Sequence, residues 1–282
     1  MKVTILIENN RNPAHNLYYE HGLSIYLEFE NQKYLIDTGQ SGKFLQNAFQ
    51  MNIDLSEVDY VILSHGHYDH IDGLPNFLDI NRKSKIIVSP HALENEFFSL
   101  KKDSDRYIGK GFSTMLIEQN RLVFINRNTD VTDNLSILSH ITKNFPLPAA
   151  NKLLIKKNGN VKTEDDFNHE IVACFKSQDG IVVFTGCAHQ GILNILETVS
   201  NTFYPLKIKT VIGGFHIPDS DSENQFETDN ELLLLGEMLA EKYEDAVFYT
   251  GHCTGKNTYN VLKTKLNERL NQIYTGLQIT LK

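Results

Sequence analysis

The chain has 282 residues, 41% of them apolar and 22% charged, and a formal net charge of -8. Such a composition supplies a large hydrophobic core and excludes a disordered or fibrous chain. The acidic balance argues against nucleic acid, whose phosphates demand a basic stripe, and favours a small-molecule substrate. Taken in chain order, Val3 to Glu8, Ser24 to Glu30 and Lys33 to Asp37 read as strands, followed by a helix after Ser41 and a strand from Tyr60 to Ser64. The polar break between Asn31 and Lys33 is short enough for a hairpin turn, so antiparallel pairing begins early and two mixed sheets are expected.

From about 90 to 150 the regularity weakens, with a charged run from Lys101 to Arg106 and a polar cluster from Asn126 to Asp130. This reads as an elaboration over the active face of a single domain spanning 1–282. Beyond it come strands Ile171 to Phe175 and Ile181 to Thr185, a helix from about Gln190, a strand Thr210 to Gly214, a helix from about Asn230, and a strand Ala246 to Thr250. The opening Met1 to Glu8 reaches an acidic residue too soon for a secretory segment, and no apolar run attains the length of a membrane span. A cytoplasmic protein with no membrane partner is the expectation; the sequence leaves the oligomeric state open.

The strongest chemical signal is Ser64-His65-Gly66-His67-Tyr68-Asp69-His70, where an apolar strand runs out into a glycine-containing loop. Imidazole and carboxylate donors suit zinc, iron or manganese, and a strand end holds them rigidly while leaving a coordination position open. One or two divalent ions are expected, zinc first. The three cysteines, Cys174, Cys187 and Cys253, are too scattered for a disulfide framework. Cys253 is expected to be a small buried apolar group.

The His-x-His-x-Asp-His pattern resembles the signature of the metallo-β-lactamase superfamily, in which the first two histidines bind one metal and the Asp-His pair a second. The resemblance implies a four-layer αββα sandwich of two mixed sheets. It makes Leu35-Ile36-Asp37-Thr38-Gly39 similar to the superfamily's first motif, with Asp37 supporting the ligands from behind. It also makes His252 the last ligand of the second metal, beside Asp69 and His70. His21-Gly22-Leu23-Ser24, Gly186-Cys187-Ala188-His189, Gly213-Gly214-Phe215-His216 and Gly251-His252-Cys253-Thr254-Gly255 further resemble one branch, that of the 7,8-dihydropterin-6-methyl-4-(β-D-ribofuranosyl)aminobenzene 5'-phosphate synthases.

Cys187 stands where the superfamily places a bridging aspartate, so it is either a thiolate ligand or a residue that merely lines the pocket. His189 is expected to be the third ligand of the first metal, with His169 and Glu170 as rivals. His216, carried by two glycines, is expected to contact substrate or act as general acid. Asp69 is expected to be a ligand or a base. His91, Arg106 and Phe215 are candidate substrate contacts, Arg106 for a phosphate or carboxylate and Phe215 for stacking on a pterin. His15 and His140 are read as structural or surface residues.

The function expected on these grounds is metal-assisted hydrolysis of a small, phosphorylated or pterin-like substrate. The alternatives are condensation of a pterin diphosphate with an aminobenzene riboside phosphate, iron-based redox chemistry, and a non-catalytic metal- or pterin-binding protein.

Overall fold

The computed structural model describes residues 1–282 apart from His15, Asp103 and the side chain of Gln119; the reading of His15 therefore lies outside the described residues. Two seven-stranded sheets dominate. Across the first lie Gln278–Thr280, Lys2–Ile7, Ser24–Phe29, Gln32–Ile36, Tyr60–Leu63, Lys85–Val88 and Leu122–Phe124. Across the second lie Leu270–Gln272, Val247–Thr250, Ile208–Ile212, Gly180–Phe184, Val172–Ser177, Leu135–Leu138 and Thr129–Asp130. Each is mixed, antiparallel on one side and parallel on the other. The expected hairpin is a two-residue turn: Glu30 and Asn31 both have positive φ, which matches the twist of the strands they join.

Strand alternation explains the layers. In Tyr60–Leu63, Ile62 faces the other sheet beside Phe175, Phe184 and Ile212, while Val61 and Leu63 face helices Lys43–Gln50 and Leu74–Ile80 through Phe44 and Phe77. In Gly180–Phe184, Val182 and Phe184 point inward, and Ile181 and Val183 point to helices Ile192–Phe203, Asp229–Lys242 and Lys256–Leu266. Three apolar layers thus separate four structural ones, the αββα sandwich. Each fully buried Val, Leu or Ile side chain contributes about 1.5–3 kcal/mol of transfer free energy.

Only part of the segment from 90 to 150 overlies the fold, which corrects the sequence reading. Glu96–Ser99 and Arg106–Tyr107 do form a small separate sheet with Leu154–Asn158 and Val161–Glu164. Leu122–Phe124, Thr129–Asp130 and Leu135–Leu138, however, extend the two main sheets, and Leu135 and Ile137 are fully buried between them. These strands are short and interrupted by polar turns, which hides their alternation. Among the described residues, no helix is long and apolar enough to cross a membrane.

Candidate metal centre

Parallel strands present their carboxyl ends at one rim of the sandwich, where α/β sheets characteristically bind ligands. Asp37 follows Gln32–Ile36, His65 follows Tyr60–Leu63, Cys187 and His189 follow Gly180–Phe184, His216 follows Ile208–Ile212, and His252 follows Val247–Thr250. The sheets therefore bring together residues far apart in sequence. Close packing at the rim requires glycine at two points: a Cβ on Gly186 would meet Ser64 Oγ at 2.1 Å, and one on Gly214 would meet Cys253 Sγ at 2.4 Å.

Two sets of donors result. Ligand atoms of His65, His67 and His189 lie within 4.8 Å of one another, as do those of His21, Asp69 and His252. His70 joins the second set, its Nε2 being 2.9 Å from His252 Nε2 and 3.7 Å from Asp69 Oδ2. Cys187 sits between the sets. Its Sγ is 3.2 Å from His70 Nε2, and it also groups with His65 and His70, with His189 and His216, and with His252 and Cys253.

The hydrogen bonds around the imidazoles fix which nitrogen faces the centre. His70 Nδ1–H donates to Asp37 Oδ2 at 2.6 Å, and His65 Nδ1–H donates to Ser64 Oγ at 2.9 Å, whose own hydroxyl donates to Asp37 at 2.7 Å. His252 Nδ1–H donates to Asn9 Oδ1 at 3.0 Å, and His189 Nδ1–H to Asn151 Oδ1 at 3.3 Å. Each leaves an Nε2 lone pair directed inward, the arrangement a metal-binding histidine needs. The Nε2 atoms of His67 and His189 and both ring nitrogens of His216 are buried without a hydrogen-bond partner. Orphaned buried nitrogens are costly, and a cation is what this donor set fits.

Electrostatics agree with that fit at the first donor set, whereas in the second Asp69 and His252 pair as carboxylate and imidazolium until a cation displaces the proton. Burial and the neighbouring His70 and His67 hold His65 well below the ordinary histidine range; burial, then His169, pushes His67 down to about 3. Burial and His216 hold His189 well below the ordinary histidine range, so these three rings are neutral, as ligands must be. Burial opposes ionisation of Asp69, yet His70, His21 and His252 outweigh it and hold the carboxyl well below its usual value. For His252 burial likewise opposes the charge, but Asp69 and the nearby acids lift it to about 9.

The rivals for the third ligand are committed elsewhere. His169 Nδ1 accepts the Gly66 N–H at 3.0 Å and its Nε2–H donates to Asp165 at 3.1 Å, so it braces the histidine loop. Glu170 accepts the N–H groups of His189 and Gln190 at 2.8 and 2.9 Å, fixing the turn that carries His189. Burial outweighs those bonds and pushes Glu170 up to about 7.

Other expectations need correction. Phe215 is fully buried on the helix side of the second sheet, edge-on to Phe248, and offers no face to the centre. His91 is half-exposed, 3.8 Å from Glu94, and opens with Ser89, His140 and Lys143 onto a separate 630 Å³ depression. Cys253 is not an apolar filler: its Sγ accepts the His216 N–H at 3.2 Å and lies beside Cys187 and His252. Arg106 sits over the Tyr68 ring at 5.4 Å and donates to its hydroxyl at 2.9 Å, at the outer edge of the histidine loop.

Sequence reasoning gave no role to several supports. His21 Nε2 lies 3.2 Å from Asp69 Oδ2, and its ring stacks on His252 at 5.4 Å. Glu8 accepts the His252 N–H, and Asn9 Oδ1 also accepts the Gly22 N–H at 3.0 Å, tying the first strand to the last histidine. Only the position of His21 within the branch pattern signalled any of this.

Comparison with known proteins agrees with this geometry. The profile of the Metallo-beta-lactamase superfamily matches residues 18–239. Two relatives from Methanocaldococcus jannaschii align along nearly the whole chain. One is an uncharacterised protein, 27% identical over 275 residues, covering 96% of each chain. The other is named 7,8-dihydropterin-6-methyl-4-(beta-D-ribofuranosyl)-aminobenzene-5'-phosphate synthase and is 28% identical over 296 residues, covering 98% of this chain and 95% of the relative. Among solved structures, Tm1679, described as a metal-dependent hydrolase of the beta-lactamase superfamily, is similar with a TM-score of 0.80 and 26% identity, covering 100% of this chain and 99% of that one. With its sandwich, its rim of inward-facing histidines and a family match across most of its length, the chain belongs to the metallo-beta-lactamase superfamily.

Proposed function

We propose that this protein is a metal-dependent hydrolase of the metallo-beta-lactamase superfamily, with two zinc ions as its cofactor and a small, phosphorylated or pterin-like substrate. The observation that carries the reading is the pairing of two donor sets, His65, His67 and His189 against Asp69, His70 and His252, with Cys187 between them. Manganese or iron would suit the nitrogen and oxygen donors, but the cysteine favours zinc or iron. Divalent ions held there supply Lewis acidity and lower the pKa of water to about 7.

The chain's own residues do the rest. Asp37 and Ser64 lock the rings of His70 and His65, so that little reorganisation accompanies the reaction. His216, with both ring nitrogens unpartnered and its ring 3.9 Å from that of His189, is placed to pass a proton to a leaving group. Arg106 and Tyr68 form a donor pair at the rim where a phosphate of the substrate would rest. Asp69, kept ionised by three histidines, orients the second donor set.

A second reading is favoured by the relative that aligns with 98% of this chain and is named a synthase: condensation of a pterin diphosphate with an aminobenzene riboside phosphate. One experiment separates the readings. Metal is counted by elemental mass spectrometry on protein purified without chelator, and the loaded protein is then offered phosphoesters, lactones and a pterin diphosphate with and without an arylamine acceptor. Hydrolysis without acceptor supports the hydrolase, diphosphate release that depends on the acceptor supports the synthase, and tight binding without turnover leaves a binding protein. Failure to bind any metal after reconstitution overturns all three.

A further inference from the structure

Cys187 and Cys253 follow two strands, Gly180–Phe184 and Val247–Thr250, that Ile208–Ile212 holds apart in the second sheet. Beyond the strand ends the two loops lean together across Gly214, and the two Sγ atoms lie within 4.8 Å of each other. A Cβ on Gly214 would meet Cys187 Cα at 3.4 Å as well as Cys253 Sγ, so a side chain there would fill the space the cysteines share. Both are free thiols, and Cys253 Sγ also stands 3.6 Å from the Cys187 carbonyl oxygen. Cys253 has no part in the reaction proposed above.

Two sulfurs this close have a chemistry that neither has alone. A disulfide sets its sulfurs about 2.0 Å apart, and a change of rotamer at either cysteine closes a gap of this size. Cys253 is partly exposed at the rim and Cys187 is 4% exposed, so a small oxidant meets Cys253 first. The third cysteine, Cys174, is fully buried on the helix face of the second sheet.

We infer that Cys187 and Cys253 form a redox modification site, closed to a disulfide by hydrogen peroxide and reopened by a thiol reductant. The Cys253 sulfur takes one oxygen of the peroxide to give a sulfenic acid, the O–O bond breaks, and the other oxygen leaves as water. The Cys187 sulfur then attacks the Cys253 sulfur, and the hydroxyl leaves with the Cys187 proton as a second water. The two thiols lose two electrons and the peroxide gains them. The disulfide withdraws the Cys187 sulfur from the metals; that consequence rests on the reading of Cys187 as a ligand, whereas formation of the disulfide does not.

The test applies hydrogen peroxide to the folded protein, both metal-loaded and after chelation, then unfolds it, alkylates free thiols and digests it without reductant. Mass spectrometry should find a peptide pair joining Cys187 to Cys253, lighter by two hydrogens than its separate parts, with Cys174 alkylated. Dithiothreitol should remove the link. In the loaded protein, metal should pass to a chromophoric chelator in step with the link and rebind after reduction. A link that forms while all metal stays bound supports the site and counts against Cys187 as a ligand. Absence of the link from both forms, or links to Cys174 as abundant as the expected one, would overturn the site whatever the metal does. Cys253→Ser should end the thiol-reversible release of metal, and its persistence in that variant would also overturn the site. The peptide measurement on the natural protein decides the matter whether or not the variant folds.

Discussion

His70 Nδ1–H meets the Asp37 carboxylate at 2.6 Å across 33 residues of sequence, and neither side chain touches solvent. The same carboxylate accepts the Ser64 N–H and hydroxyl, at 2.7 Å each. One acid thus aims His70 directly and His65 through the serine. Asp37→Ala should lower metal affinity about 10- to 100-fold, measured by competition with a chromophoric chelator. It should also cost about 1–3 kcal/mol of stability, because the Ser64 N–H loses its acceptor. Unchanged affinity would mean that the rings are held by packing alone.

His67→Ala removes a donor whose Nε2 has no other partner. On the two-ion proposal, metal content should fall from two equivalents to one, with hydrolysis abolished and the fold kept, as seen by elemental analysis and circular dichroism. Retention of full stoichiometry would exclude His67 as a ligand.

Cys187 tests whether the two donor sets share an atom. With cobalt loaded at the centre, a sulfur-to-metal charge-transfer band is expected in the near ultraviolet, and Cys187→Ser should abolish it and loosen one ion. A spectrum unaltered by that change would make Cys187 a bystander.

Arg106 rests on Tyr68 and, among the described residues, pairs with no carboxylate. Arg106→Ala should raise KM for phosphorylated substrates about tenfold or more while leaving kcat and the uncharged analogues nearly unchanged. A uniform loss across both substrate classes would place the arginine in structure rather than recognition.

The centre was legible in the sequence to the extent that its residues are local or end a strand. Four donors lie between His65 and His70, and His189 and His252 follow apolar runs, which marks all six as rim residues. What escaped notice depends on distance or direction. His21 acquires meaning only because Asn9 and Asp69 meet it in space. Phe215 and His216 are adjacent, yet one faces the helices and the other the centre, and spacing does not say which. Helix Lys256–Leu266 and the short strands Leu270–Gln272 and Gln278–Thr280 escaped because alternating polar residues blur their periodicity. Leu122–Phe124 is missed for a related reason: an edge strand carries half-exposed residues that read as loop.

Asp37, Ala188, His216 and His252 share a backbone feature, φ of 58°, 62°, 49° and 54°. Each adopts a left-handed conformation disfavoured for a side chain, at roughly 1–3 kcal/mol apiece. Selection for thermal tolerance would act on those four positions first, since glycine at any of them relaxes the backbone. Glycine would also delete the carboxylate or imidazole at three of them, and at Ala188 it would loosen the turn that aims Cys187 and His189. Evolutionary pressure toward robustness and pressure toward chemistry therefore pull against each other at this rim, and variants hardened against heat should accumulate their changes in the outer helices instead.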